Sequence, residues 1–120
     1  MLKYKIKYIE YNGKIDDLIF DFGDNKEVLS MFLSSDVTPF ADWIKEAIDE
    51  VLLGKIDAKT INGNACTAEI HPDTTKIYDM FIEDDDEYYA TCCEVETKEL
   101  RLLIDEWCEA IRKFKEEKGN

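Results

Sequence analysis

The chain contains very little histidine, proline and glycine: one, two and five residues of 120. The single histidine, His71, precedes Pro72 in a sequence typical of a turn, so we interpret it as an exposed turn residue and not as a catalytic or metal-binding group. No glycine-rich loop precedes a helix, and no Ser, His and Asp set can be assembled. We therefore predict that the protein is not an enzyme and needs no cofactor.

Long apolar stretches are also missing. No run approaches the 18 uninterrupted apolar residues of a membrane span, and the first ten residues alternate lysine with apolar residues, unlike a signal peptide. The sequence therefore predicts a cytoplasmic protein with no membrane contact. With 45% hydrophobic and 12% aromatic residues, the chain is too apolar for intrinsic disorder. Its length predicts a single domain over residues 1–120.

The cysteine spacing fits neither a disulfide framework nor a zinc site. Cys92 and Cys93 are adjacent, so they point to opposite faces of any strand, and zinc ligands usually have two to four residues between them. The other two cysteines lie in apolar patterns. We predict reduced, mostly buried thiols and no bound metal at Cys66, Cys92, Cys93 and Cys108.

The first half of the chain predicts a hairpin followed by two helices. Residues 2–9 alternate as a half-buried strand does, with Leu2, Tyr4, Ile6 and Tyr8 on one face. Asn12-Gly13 is typical of a tight hairpin turn, and the returning strand carries Leu18, Phe20 and Phe22. A short helix is expected from Asp24 to about Ser34-Ser35. A second helix, capped by Thr38 with Pro39 at its first position, then reaches Gly54.

The second half predicts four strands and a last helix. Asn62-Gly63 indicates a hairpin turn between strands near 57–61 and 66–70, and further strands are expected at 76–82 and 87–96. Thr97 is expected to cap the last helix. The order ββααββββα favours an α+β fold, an antiparallel sheet of about six strands with helices packed on one face. Trp43 and Trp107 are expected in the shared core.

Acidic residues far outnumber basic ones. There are 28 Asp and Glu against 15 Lys and Arg, giving a net charge of −13, which argues against direct binding of nucleic acid and favours a basic protein partner. The first 14 residues hold four of the lysines and only one carboxylate, so the acidity is concentrated in the rest of the chain.

One acidic segment adjoins two tyrosines. Carboxylates can steer a basic partner and tyrosine can anchor it, so we predict partner binding there. The predicted residues are Asp79, Glu83, Asp84, Asp85, Asp86, Glu87, Tyr88 and Tyr89. The same pattern is also typical of a solubilising turn, and that alternative stays open. The segment lacks the glycine and the distal glutamate of a calcium loop. If it makes no contact, the next candidates are the carboxylate face of the Thr38 helix and three hairpin carboxylates, Asp16, Asp17 and Asp21.

Several short motifs resemble those of bacterial immunity proteins. They are Ser34-Ser35, Thr38-Pro39-Phe40 with Trp43, Glu46-Ala47-Ile48, Gly54-Lys55, Asn62-Gly63-Asn64 with Cys66, Glu69-Ile70 and Glu96-Thr97. Together they span residues 34 to 97, and the chain is similar to the immunity proteins of contact-dependent growth inhibition (CDI) systems.

The resemblance implies a cytosolic antidote. Such a protein binds the C-terminal toxin domain delivered by a neighbouring cell, commonly a nuclease acting on RNA or tRNA, and blocks its active site or its access to substrate. Two alternatives remain at the level of sequence. One is an acidic nucleic-acid mimic or adaptor that binds another basic cytosolic protein, and the other is a small enzyme whose site the sequence does not reveal.

Overall fold

The computed structural model describes residues 2–23, 26–81 and 92–119. Its elements are β1 (Lys5–Tyr11), β2 (Lys14–Asp21), α1 (Glu27–Met31), a π-helical stretch (Phe32–Val37), α2 (Thr38–Leu52), β3 (Lys59–Asn62), β4 (Cys66–Ile70), β5 (Thr74–Asp79), β6 (Cys92–Glu96) and α3 (Thr97–Gly119). The α+β class and the order ββααββββα are confirmed. Within these ranges, no helix is long and apolar enough to cross a membrane.

The six strands form two antiparallel sheets, one of β1 and β2 and the other in the order β3-β4-β5-β6. Asn12 and Gly13 both have positive φ, 52° and 78°, as the predicted tight turn of the first hairpin requires. The turn between β4 and β5 is closed by the amide of His71, which donates to the carbonyl of Thr74 at 3.0 Å. His71 itself is exposed, as predicted.

The core lies where α2 and α3 pack on the strands. Each helix buries a stripe of apolar residues with helical spacing, and β4 and β5 supply Ile70 and Ile77. Trp107 is 2% exposed, packs edge-on against Phe20 with ring centroids 4.9 Å apart, and donates its indole N–H to Thr38 Oγ1 at 3.0 Å. The prediction for Trp107 is therefore confirmed.

The predicted boundary between the two helices of the first half is misplaced: the helix runs on through Thr38, and the break in its backbone comes at Phe40. Thr38 has helical φ and ψ of −53° and −51°, and its hydroxyl donates to the carbonyl of Leu33 at 3.1 Å. The predicted helix end at Ser34-Ser35 and the predicted cap at Thr38 are therefore wrong. The helix continues because the stretch Phe32–Val37 buries four side chains, so leaving the helix there would expose part of the core.

The prediction that Trp43 lies in the core is also wrong, because 44% of it is exposed. The buried residues of α2 are Ile44, Ala47, Ile48 and Val51. At 100° per residue, position 43 lies about 90° from the centre of that stripe. Phe40 would face the core in a regular helix, but its φ of −127° and ψ of 31° break the helix and leave it 38% exposed.

A buried carboxylate fixes the turn between β3 and β4. Asp36 is 0% exposed, and it accepts the amides of Asn64 at 2.7 Å, Ala65 at 3.0 Å and Cys66 at 2.9 Å. A Cβ atom on Gly63 would lie 2.6 Å from Asp36 Oδ2. The predicted hairpin exists, but its two strands are connected by three residues. Gly63 is needed there because the turn passes close to the carboxylate of Asp36, and not because its φ is positive.

The first hairpin extends beyond the core. All seven residues of β1 are exposed, so the prediction of a half-buried strand over residues 2–9 is wrong for residues 5–9. The tightest aromatic packing is at the base of the hairpin, where the ring centroids of Tyr4 and Phe20 are 3.9 Å apart. The alternation of side chains in β1 therefore leaves an apolar face without a covering layer from the core.

Candidate partner-binding site

Most of the predicted acidic segment lies outside the described residues. Asp79, the last residue of β5, is half-buried, and its Oδ1 accepts the amide of Phe81 at 2.9 Å. The other seven predicted residues, Glu83, Asp84, Asp85, Asp86, Glu87, Tyr88 and Tyr89, fall in 82–91. The predicted contact at this segment therefore stays a prediction.

A second set of carboxylates is well placed on α2. Asp42, Glu46 and Glu50 follow one another at intervals of four residues, which puts them on one face of the helix with neighbouring Cβ atoms about 5–6 Å apart. We call these three residues the acidic stripe. In the described part of the chain, no lysine or arginine forms an ion pair with any of them.

The acidic stripe carries an energetic cost. Like charges four residues apart destabilise a helix by about 0.2–0.5 kcal/mol per pair. The stripe contains two such pairs, Asp42 with Glu46 and Glu46 with Glu50. A basic partner would relieve this repulsion.

The other charged side chains of α2, Lys45 and Asp49, form ion pairs with α3. Arg101 Nε lies 2.9 Å from Asp49 Oδ1, and its Nη1 lies 2.8 Å from Asp105 Oδ1. Lys45 Nζ lies 3.4 Å from the same Asp105 oxygen. Burial alone disfavours the charged guanidinium, but its hydrogen bonds to Asp49 and Asp105 outweigh burial and raise the pKa of Arg101. This network holds α2 against α3 and presents the acidic stripe on a fixed support.

An aromatic pair lies at the N-terminal end of the acidic stripe. The Phe40 and Trp43 rings meet edge to face, with centroids 6.0 Å apart and planes at 85°. Exposed tryptophan is among the residues that most often contribute strongly to protein interfaces. We call Phe40, Trp43 and the acidic stripe together the α2 face.

A shallow groove of about 560 Å³ runs along the C-terminal part of the α2 face. It passes the carboxylates of α2 and ends at Leu53, which is 71% exposed, and Lys55. Six of the seven residues that line it are charged, which suits a protein surface better than a small apolar ligand, since small-molecule pockets are mostly apolar and enclosed.

The functional groups of the α2 face are carboxylates and aromatic rings. This face holds no histidine, and in the described ranges no cluster of three or more His, Cys, Asp or Glu side chains could hold a metal ion. All four cysteines are free. Burial raises the pKa of the Cys66 and Cys93 thiols to about 12, so both stay protonated and unreactive at neutral pH.

The sequence indicated only part of the α2 face. The carboxylates were predicted on the solvated side of the Thr38 helix, and the acidic stripe confirms that placement for Asp42, Glu46 and Glu50. The aromatic pair was missed, because Phe40 and Trp43 continue an apolar helical pattern. The signal that distinguishes Trp43 is its position, about 90° from the centre of the buried stripe.

Comparison with known proteins identifies the family. No family model and no solved structure matches the chain. A protein of Bacillus cereus named "Immunity protein" is 36% identical over 119 residues, which cover 98% of this chain and 97% of that protein. Since this similarity extends over nearly the full length of both proteins, the chain belongs to the family of that immunity protein.

Proposed function

We propose that the protein neutralises one cognate toxin domain by binding it in the cytoplasm, without catalysis. We further propose that the toxin is a nuclease that acts on RNA or tRNA and forms the C-terminal domain of a CDI effector. The observation that carries the proposal is the full-length similarity to the B. cereus immunity protein. The finer identity of the toxin is supported by charge.

A nuclease is the kind of toxin that an acidic antidote fits best. Nuclease active sites hold phosphate groups with basic side chains, so carboxylates on a complementary surface can occupy the positions of phosphates and exclude the substrate. The protein has a net charge of −13, and the acidic stripe adds fixed local charge with no internal partner among the described residues.

In the proposed contact at the α2 face, charges and apolar side chains have different roles. Exposed charges mainly raise the association rate, and this contribution weakens as salt is added. A buried aromatic anchor mainly slows dissociation, and we assign that role to Trp43, supported by Phe40. The segment from Asp79 to Tyr89 is proposed as a further contact of the same kind.

The proposal is tested first in cells. The cognate toxin domain, sought first in the gene immediately upstream, is expressed from one promoter and the protein from another, and growth is followed as the amount of protein is varied. Growth should recover in proportion to the protein, because each toxin molecule needs one antidote. Continued growth arrest at a large excess of folded protein would contradict toxin neutralisation.

A second experiment tests the α2 face with purified proteins. The triple variant Asp42→Asn, Glu46→Gln, Glu50→Gln should associate with the toxin domain about tenfold more slowly at low salt and show a flatter salt dependence. The matched control, Glu27→Gln, Asp57→Asn, Asp73→Asn, removes the same charge from exposed sites outside α2. Equal association rates for the two triples would show that only net charge matters.

The acidic segment has its own test. Replacing Asp84, Asp85 and Asp86 with Asn should lower the association rate, and replacing Tyr88 or Tyr89 with Ala should raise the dissociation rate. Unchanged kinetics in these variants would assign the segment to solubility. Recovery from cells of a different basic protein, without the toxin, would favour an acidic adaptor or nucleic-acid mimic.

A further inference from the structure

A second groove lies between the first hairpin and α3, on the side of α3 away from α2, and also measures about 560 Å³. Its floor is apolar and is contributed by both elements. The floor residues are Tyr4, Ile6, Tyr8, Leu18, Ala110 and Phe114. We call this the hairpin groove.

The apolar floor is accessible to a partner. Ile6 is 45% exposed and Tyr8 is 57% exposed, at alternate positions on the face of β1 that points towards α3. The ring centroids of Tyr8 and Phe114 are 6.2 Å apart, so the two rings meet across the groove. Large exposed apolar patches are uncommon on monomeric proteins and usually mark interaction sites.

The rim of the hairpin groove is acidic. Along α3 it carries Asp105, Glu106, Glu109 and Glu117 against one lysine, Lys113. Asp105 pairs with Arg101 and Lys45, and Glu109 pairs with Arg112, so among the described residues Glu106 and Glu117 are the rim carboxylates that form no ion pair. Glu106, Glu109, Lys113 and Glu117 recur every three or four residues, which places them on one side of the helix. Carboxylates therefore border an apolar floor along the length of the groove.

Tyr4 fixes one end of the rim. Its hydroxyl donates to Glu106 Oε1 at 2.6 Å. Burial and this carboxylate raise the pKa of Tyr4 to about 12, so the hydroxyl stays a donor at neutral pH. The carboxylate of Glu106 is thereby held at the edge of the groove, with its second oxygen available to a partner.

We infer that the hairpin groove receives a segment of the cognate toxin that carries large apolar side chains flanked by lysine or arginine. This inference rests on the proposed function and adds a second contact to the α2 face. From Asp105 to Glu117 the helix rises about 18 Å, the length of roughly five residues of extended chain. Apolar side chains of the segment pack on Tyr8 and Phe114, and its cations meet the carboxylate rim.

The hairpin groove and the α2 face share a border. Asp105 lines the groove and also pairs with Lys45, which lines the groove of α2. One partner can therefore cover both surfaces by crossing α3 at this ion pair. The α2 face supplies carboxylates that form no ion pair in the described part of the chain, and the hairpin groove supplies the larger apolar area.

A second copy of this chain is a poorer occupant than a basic toxin segment. A two-fold interface places the same surface patch of each subunit against the other, which would bring two carboxylate rims together. Lys5 and Lys7 on the opposite face of β1 also discourage pairing of this strand with its own copy, as edge lysines do in many sheets.

The inference is tested by dissociation kinetics with the purified cognate toxin domain. Tyr8→Ala should raise the dissociation rate by about tenfold or more, as expected for loss of an aromatic anchor. The matched control is Tyr11→Ala, which removes the same side chain from the end of the same strand, where it is 70% exposed and outside the groove. The control should change the rate by less than about twofold.

The acidic rim is tested on adjacent residues. Glu117→Lys places a cation at the groove and should raise the dissociation constant about tenfold at low salt, whereas Glu116→Lys, one position along α3, should have a smaller effect. Glu116 pairs with Arg112 and does not line the groove. Circular dichroism and urea unfolding of each variant verify that the fold is retained.

The outcomes separate this inference from the proposed function. If the wild type binds and inhibits the toxin domain but Tyr8→Ala dissociates at the wild-type rate, the groove inference is overturned and the proposed function stands. If the wild type does not bind the toxin domain, both are overturned. A dimer of the free protein that Tyr8→Ala disrupts, seen by analytical ultracentrifugation, would identify a second copy as the occupant and would also overturn the inference.

Discussion

Replacing Gly63 with alanine should destabilise the fold strongly, because the new methyl group would meet the buried carboxylate of Asp36. The added Cβ would lie 2.6 Å from Oδ2 and 2.8 Å from Oδ1, distances that real Cβ atoms essentially never show. Either the turn or the carboxylate has to move. Both movements break the hydrogen bonds that Asp36 accepts from residues 64–66.

The magnitude follows from those hydrogen bonds. A hydrogen bond to a charged group contributes about 1.5–3 kcal/mol, so the loss of two of the three would cost about 3–6 kcal/mol of unfolding free energy. A protein of this size is stable by about 5–15 kcal/mol in total. Gly63→Ala should therefore shift the urea midpoint far more than a typical surface substitution, which changes stability by less than about 0.5 kcal/mol.

A double-mutant cycle distinguishes this collision from a general effect on the turn. In an Asp36→Ser background the shorter side chain leaves room for the methyl group, so Gly63→Ala should change the unfolding free energy by less than about 1 kcal/mol. Urea unfolding of the four proteins gives the coupling energy. Equal losses in the two backgrounds, or a loss below about 1 kcal/mol in the wild type, would refute the reasoning.

Three further predictions concern the α2 face, its support and the buried thiols. Trp43→Ala should lower the unfolding free energy by about 0.5–1.5 kcal/mol, because the edge-to-face contact with Phe40 is lost, but raise toxin dissociation by about thirtyfold, measured by surface plasmon resonance; unchanged dissociation would remove Trp43 from the contact. Arg101→Leu should lower the unfolding free energy by about 1 kcal/mol, because it breaks the ion pair with Asp49, and a fall in this effect at high salt in urea unfolding would verify its electrostatic origin. Burial raises the pKa of Cys66 and Cys93 from 9.0 to about 12, so on raising the pH the unfolded state loses these thiol protons before the folded state does. The stability that the two buried thiols contribute should therefore be complete below pH 9 and decline between pH 9 and pH 12. A Cys93→Ala variant should show a smaller decline in urea unfolding over that range, and an equal decline would contradict the assignment.

Periodic patterns in the sequence predict most of the fold. The alternation in residues 2–9, the Asn12-Gly13 turn and the helical stripes of the two long helices were sufficient for the class and the element order. The helix boundary at Thr38 could not be predicted, because a threonine before a proline is typical of a helix start. Its hydroxyl is instead a partner of Trp107, which lies 69 residues further along the chain.

Of the candidate site, only the position of its carboxylates could be predicted from the sequence. The sequence placed carboxylates on the outer side of the Thr38 helix, but the exposure of Phe40 depends on a local break in the helix that apolar spacing does not reveal. The hairpin groove was hidden for a similar reason. Alternation in β1 indicates an apolar face, but whether the core covers that face depends on how far α3 reaches along the hairpin, and that is a property of tertiary packing.

The central claim, neutralisation by stoichiometric binding, is tested most directly by titrating the purified toxin domain with the purified protein. The toxin concentration is kept well above the dissociation constant, and residual toxin activity is measured at several times after mixing. The account predicts a linear fall to zero at one equivalent, with the same end point at every time. Complete loss of activity at a small fraction of an equivalent, progressing with time, would indicate an enzymatic antidote and contradict the claim, as would full activity at an excess of the protein.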